Sequence, residues 1–318
     1  MNGVIVVNKP EDFTSFDVVA VLRKLCNERK IGHCGTLDPN ATGVLPVLLG
    51  RAAKAQDILP NHDKTYRAEF VLGKVTDTLD IWGQVTAEEK TQVTKEELLS
   101  VLPEFTGEIL QIPPMYSAVQ VGGKRLYDLA RQGIEVERKA RKITVYSLKL
   151  LMFDEETQSG VLTVSCSKGT YIRTLIDDVA KKLCIGGCMT SLVRESACGF
   201  SLKDSYTLDE LRELSAKGEI EKTLLSTESL FVTYKEVKVS AEQAKRFANG
   251  GALSAQRIRE KPEMIDGNIY RVKSPTGVFM GLAKFDTESR ELKIYKQFAD
   301  YAQFNKPSPQ GEGIRKTD

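Results

Sequence analysis

The chain has 318 residues, 41% hydrophobic and 28% charged, with 45 Lys and Arg against 43 Asp and Glu. That length supports one large folded unit plus a small one, each with a core, in a protein of ordinary globular composition. No run approaches the roughly 18 apolar residues of a membrane span, and MNGVIVVNKPEDFTS lacks the basic and apolar regions of a signal peptide.

Six cysteines (Cys26, Cys34, Cys166, Cys184, Cys188, Cys198) are too few and too scattered for a disulfide scaffold, so free thiols in a reducing cytoplasm are expected. A net charge of +2 does not mark a nucleic-acid binder, but the charge is uneven. Between Gly122 and Lys142 seven cations (Lys124, Arg125, Arg131, Arg138, Lys139, Arg141, Lys142) face three acids. Such a patch attracts phosphates, and it is equally read as a solvated helix face followed by a loop.

In chain order, Val4–Val7 is a β-rich run ended by Asn8-Lys9-Pro10. Thr14 with Asp17 three residues on predicts a capping box, and Val18, Val21, Leu22 and Leu25 form the apolar stripe of the helix behind it. The stretch IGHCGTLDPNATG (31–43) follows as a loop. TYRAEFVL (65–72) alternates, placing Tyr66, Ala68, Phe70 and Leu72 on one face of a strand. Lys95–Leu102 reads as a short helix, and Gln111–Tyr116, with two prolines, as extended chain. Val161–Ser167 is a strand, broken by Gly169, and Thr170 is the expected cap of a helix through Tyr171, Ile172, Leu175, Ile176 and Val179. Beyond Leu230 short strand candidates (236–239, 268–272, 278–284, 291–295) alternate with turn residues and predict a compact, mostly β module. The tail AQFNKPSPQGEGIRKTD is polar, rich in Pro and Gly, and expected to be disordered.

Several chemistries are disfavoured. With only His33 and His62, and Cys184-x3-Cys188 lacking a second pair, no zinc site is expected. Adjacent His33 and Cys34 do not form a nucleophile–base pair with a third orienting group. Ser167-Lys168-Gly169-Thr170 inverts the Gly-Lys-Thr order of a phosphate-binding loop. Asp38-Pro39 reads first as a helix start, Asp as N-cap and Pro at the first position. Arg173, in the first turn of the 170s helix, sits where the helix dipole disfavours a cation, so it calls for an anion that the sequence does not identify.

Four blocks, taken together, carry a family likeness: GVIVVNKPEDFTSFDVV, GHCGTLDPNATGVLPVLLG, DKTYRAEFVLGKVTDTLDIWG, and IPPMYSAVQVGGKRLYDLARQGIEVER followed by SKGTYIRTLIDDVA. In this order and spacing the chain resembles the bacterial TruB family of tRNA pseudouridine synthases, to about residue 300. The resemblance implies an α+β pseudouridine synthase fold, a mixed and largely antiparallel central sheet flanked by helices and loops. A catalytic domain over residues 1–231 would carry a basic RNA-binding insertion at about 122–142. A small, mostly β PUA-like domain over 232–301 would follow, then a disordered tail over 302–318.

The implied reaction converts a uridine in the T-loop of tRNA, at conventional position 55, to pseudouridine in a cytoplasmic monomer without cofactor or metal. By the same likeness Asp38 is the catalytic nucleophile, Arg173 its partner, and Tyr66, Tyr171 and Leu192 complete the site. Asp80 lies near the active tyrosine, Lys9 with Pro10 supports the floor, and His33 fills the gap left by flipped nucleotides. Lys124, Arg125, Arg131, Arg138, Lys139, Arg141 and Lys142 would grip RNA. The chain departs from the family pattern at Asn8, Cys34 and Val193, where aspartate, threonine and arginine are common; Val193 bears on RNA contact.

A carboxylate is ionised at neutral pH and acts as a nucleophile without a general base. Uracil has to stay, turn over and be recaptured through C5, which suits one carboxylate in a closed slot better than the acid–base pair of a glycosidase. The sequence leaves open whether Asp38 attacks C1′, adds to C6 or promotes a glycal. Two other readings compete: a non-catalytic RNA-binding or tRNA-folding protein, and a sister pseudouridine synthase acting on other RNA.

Overall fold

The computed structural model describes residues 1–298; the expected disordered tail at 302–318 lies outside the described residues. A nine-stranded mixed sheet organises most of the chain, in the order 3–9, 42–49, 187–197, 64–72, 159–166, 141–154, 107–111. Strand 31–33 pairs with 42–49, and strand 200–201 with 187–197. All of its pairings are antiparallel except that of 187–197 with 42–49, where Val193 faces Thr42 and Arg194 faces Gly43. The apolar runs are what the packing needs: Val4–Val7 and Val47–Leu49 are buried on both faces, as expected of strands covered on each side.

Strand Lys64–Leu72 keeps the predicted alternation, burying Tyr66, Ala68, Phe70 and Leu72. These side chains form one core with Ile172, Leu175, Ile176 and Val179 of the helix Ile172–Lys182. Further along the sheet the helix Ser15–Leu25 packs Val18, Val19 and Leu22 against Ile5, Val7 and Leu45, beside the helix Leu208–Ala216. The capping box of Thr14 and Asp17 is present, as are those of Thr94 and Thr207.

Two local expectations are corrected. Ile31–His33 is not loop but a short strand, because its backbone completes the edge of Thr42–Leu49. Thr170 does not cap its helix: its hydroxyl donates to Ser167 O at 3.0 Å, and the N-cap is Tyr171. The Gln111 amide supplies the missing partners, accepting from Tyr171 N at 2.8 Å and donating to Tyr171 O at 3.0 Å.

The predicted C-terminal strands are present as a five-stranded sheet in the order 236–238, 269–273, 279–286, 291–297, 253–254, with the helix Ala241–Ala248 packed on it. Phe231, Tyr234, Phe279 and Phe298 stack at 5.5–6.3 Å between ring centres and join this sheet to the large one through a shared core containing Val4 and Leu48. No helix among the described residues is long and apolar enough to cross a membrane.

Candidate active site

The sheet register assembles the site. Arg194 lies opposite both Tyr66 on one neighbour and Gly43 on the other, and Leu192 is opposite Ala68. Gly43 has φ +104°, and a Cβ there would stand 2.3 Å from Arg194 O, so only glycine lets the strands meet. Immediately before Gly43 the chain turns at Asp38–Ala41, with Ala41 N donating to Asp38 O at 3.1 Å. The helix start expected at Asp38-Pro39 is therefore absent, because Thr42 already enters the sheet and leaves room for a single turn.

Buried donors hold the backbone of this loop. Leu37 N donates to Ser15 Oγ at 2.9 Å and the Ser15 hydroxyl donates to Leu37 O at 3.2 Å. Lys9, fully buried, donates to Pro39 O and Pro10 O at 2.8 Å each, and to Phe13 O. Arg194, also fully buried, donates to Val44 O at 2.7 Å, Gly35 O at 3.0 Å and Thr36 O at 3.3 Å. Carbonyls on both sides of Asp38 are thus satisfied by groups that would be costly to leave unpaired.

Arg173 projects from the first turn of its helix between two carboxylates, 3.0 Å from Asp38 and 3.4 Å from Asp80. Its remaining donors reach Thr78 O at 2.9 Å and Tyr116 O at 3.0 Å. This resolves the cation at the positive end of a helix: two anions and two carbonyls outweigh the dipole term. Asp80 is placed by strand pairing of its turn to Met189 and by a 2.7 Å bond from the Thr78 hydroxyl. The Arg173 side chain is 7% exposed and that of Asp80 13%, whereas Asp38 is 43% exposed. Asp38 is the member of the trio that a ligand can touch.

Burial raises the Asp80 carboxyl above the usual carboxylate range, against the Thr78 hydrogen bond and Arg173. It pushes the Tyr66 phenol up to about 12, so Tyr66 is neutral at physiological pH. Desolvation lowers Lys9 to about 8 and also lowers Lys64 and His33, leaving His33 a neutral imidazole near pH 7.

Asp38, Tyr66, Tyr116, Tyr171, Arg173 and Leu192 line one cavity of about 380 Å³, within the range of small-ligand sites. Asp80 and Lys9 stand behind its wall, and half-buried His33 precedes the lining rather than belonging to it. The basic segment lies outside the cavity: a hairpin (120–121, 124–125), the short helix Leu126–Ala130, then irregular chain into the strand at Arg141. Lys124, Arg125, Arg131, Lys139, Arg141 and Lys142 are exposed. Arg125 and Arg131 lie over the Tyr127 ring, Lys142 pairs with Glu108, and Arg138 is half-buried with a bond to Pro113 O.

Ser15, Tyr116 and Arg194 escaped the sequence reading. A signal existed for Arg194: strand alternation puts it on the same face as Leu192, with Val193 on the other. Among the described residues no group of three His, Cys, Asp or Glu side chains is placed to hold a metal.

Comparison with known proteins agrees with this geometry. Residues 23–172 match the N-terminal domain of TruB family pseudouridylate synthases. A tRNA pseudouridine synthase B of Clostridium perfringens is 42% identical over 294 residues, covering 92% of this chain and 98% of that protein. One from Lactobacillus johnsonii is 41% identical, covering 87% of this chain and 95% of its own. Among solved structures, a chain from the crystal structure of a Cbf5-Nop10-Gar1 complex superposes with a TM-score of 0.73 at 25% identity, covering 96% of this chain and 87% of that one. The mixed α+β core is thus a pseudouridine synthase fold with a PUA-like β unit at its C-terminal end, and the chain belongs to the TruB family of pseudouridylate synthases, which are isomerases.

Proposed function

We propose that this protein isomerises the T-loop uridine of tRNA at conventional position 55 to pseudouridine, with Asp38 as the nucleophile. The observation that carries the reading is a half-exposed carboxylate, ion-paired to a buried arginine, in a cavity lined by Tyr66, Tyr171 and Leu192. The relatives that are named tRNA pseudouridine synthase B and cover nearly the whole chain support the substrate.

The reaction breaks N1–C1′ and forms C5–C1′; C5 loses a proton and N1 gains one, so no atom and no electron leaves the balance. Arg173 holds the Asp38 oxygen in place, and the aromatic and leucine walls keep the detached uracil beside C1′ while excluding water. Tyr66, neutral and buried, acts as a stacking surface and phenol donor rather than a resident phenolate base. The target base lies in a folded loop and has to be extruded, at a cost of a few kcal/mol; in this reading His33, which ends the strand before the cavity lining, fills the vacated space. In this reading residues 1–231 carry the chemistry of a cytoplasmic monomer, and the basic segment and PUA-like unit hold the tRNA.

The test is incubation with unmodified tRNA transcript, without added cofactor, followed by mapping of pseudouridine. Product at position 55 is expected. Product only elsewhere, or none, contradicts the proposal.

A further inference from the structure

Two cysteines from distant parts of the chain meet in the wall of the cavity. Cys34 follows the strand Ile31–His33 and stands four residues before Asp38; its N–H donates to Pro46 O at 2.9 Å. Cys198 occupies the turn after the strand Gly187–Ala197, with φ +56°, and its N–H donates to Asp63 O at 3.1 Å. Both belong to one apolar cluster, both border the cavity, and each thiol shifts the ionisation of the other. They are free and only 4% and 8% exposed.

Their surroundings are cationic. Lys64 donates to His62 O at 2.7 Å and Arg194 to backbone carbonyls, and among the described residues no carboxylate forms an ion pair with either. A thiolate beside them supplies a missing anion. Burial alone raises Cys26, Cys166 and Cys188 to about 11. Cys198 is the exception: its neighbour Cys34, then Lys64 and Arg194, lower it against the effect of burial, while Cys34 is raised and stays a thiol.

We propose that Cys34 and Cys198 form a peroxide-sensitive dithiol that closes to a disulfide and arrests the Asp38 loop. The Cys198 thiolate attacks one peroxide oxygen, the O–O bond breaks, and the other oxygen leaves as water after taking a proton, giving Cys198 sulfenic acid. The Cys34 sulfur then displaces hydroxide, which departs as water with the Cys34 proton. The two thiols lose two electrons and the peroxide gains them; a small dithiol reverses the reaction by exchange. The new S–S link of about 2.05 Å draws the loop toward the 198–199 turn and removes the anion beside Lys64 and Arg194. A displacement of about 1 Å at a reacting group costs on the order of 10²-fold in rate.

The experiment uses the full chain carrying Cys184→Ser, which removes the exposed thiol. Protein is treated with hydrogen peroxide, alkylated and mapped by peptide mass; isomerisation of tRNA is read as a fraction of each variant's own untreated rate. Expected are a Cys34–Cys198 linked peptide and an activity loss of about tenfold or more, restored by dithiothreitol. Cys34→Ser should instead yield a sulfenic acid at Cys198 that dimedone traps, and Cys198→Ser should keep its own rate under peroxide. Absence of the linked peptide, or equal peroxide inactivation of Cys198→Ser, overturns the proposal. The activity arm rests on the proposed function, whereas the mass arm does not, so failure of one is distinguishable from failure of the other.

Discussion

The cavity and the basic segment solve opposite problems with the same residue types. Around the cavity Arg173, Arg194 and Lys9 are buried, and each is tied to several named acceptors. In the 122–142 segment Lys124, Lys139 and Arg141 stand in solvent, Arg125 bonds its near neighbour Tyr127, and Lys142 pairs with the exposed Glu108. A buried cation is expensive unless fully satisfied, so it fixes geometry; an exposed one costs little and remains available to a phosphate. The difference divides the labour between placing one carboxylate and attracting a polyanion.

Substitutions should separate the two regions. Among changes that spare Asp38, the largest effect is expected at Arg173→Ala, which leaves Asp38 and Asp80 without their shared cation. Turnover should fall by about 10²-fold or more, with tRNA affinity little changed; unchanged turnover in single-turnover assays would break the comparison. Arg173→Lys should not rescue it, because one ammonium cannot serve two carboxylates and two carbonyls at once.

Next is Arg194→Met, which orphans three loop carbonyls and should destabilise the fold by about 3 kcal/mol in chemical denaturation. Lys9 tests the same idea through pH. Its folded pKa of about 8 lies below the ordinary Lys value, so well below pH 8 its charged form opposes folding in full. As pH rises from 8 toward 10.5 the folded state releases this proton while the unfolded chain keeps it. The Lys9 contribution to stability therefore rises, by about 2 kcal/mol between pH 8 and 10. That rise should vanish in Lys9→Met, and a matching profile in the variant would contradict the assignment.

Smallest in stability is the double change Lys124→Ala with Lys139→Ala. Unfolding free energy should move by less than about 0.5 kcal/mol, while the slope of log affinity for tRNA against log salt falls by about 2. A lost fold with an unchanged salt slope would reverse the roles assigned to the two regions.

Local rules made much of the fold legible. The Thr14 capping box and the Tyr66–Leu72 alternation appear where spacing put them, because both are set by neighbours in sequence. Arg173 was legible as an anomaly, a cation at the wrong end of a helix, but its two carboxylates are 135 and 93 residues away in the chain, too far for any periodicity to reach. Asp38 looked like a helix cap because Asp-Pro is locally indifferent between a helix start and a turn; the sheet register of Thr42–Leu49 decided it. Thr170 lost its predicted cap position to Tyr171, whose backbone is held by Gln111 from the strand 107–111. Arg194 drew no reading from the sequence; alternation with Leu192 hints at its face, and the strand's depth in the sheet shows it buried. In each miss a long-range pairing overrode a local preference.

The central claim is that chemistry resides in Asp38 and binding resides elsewhere. The most direct measurement compares Asp38→Asn with the unmodified protein on one tRNA transcript, following pseudouridine formation and binding together. The account predicts no detectable pseudouridine with a tRNA dissociation constant within about threefold of the parent, less than 1 kcal/mol. Retained turnover in Asp38→Asn would contradict it.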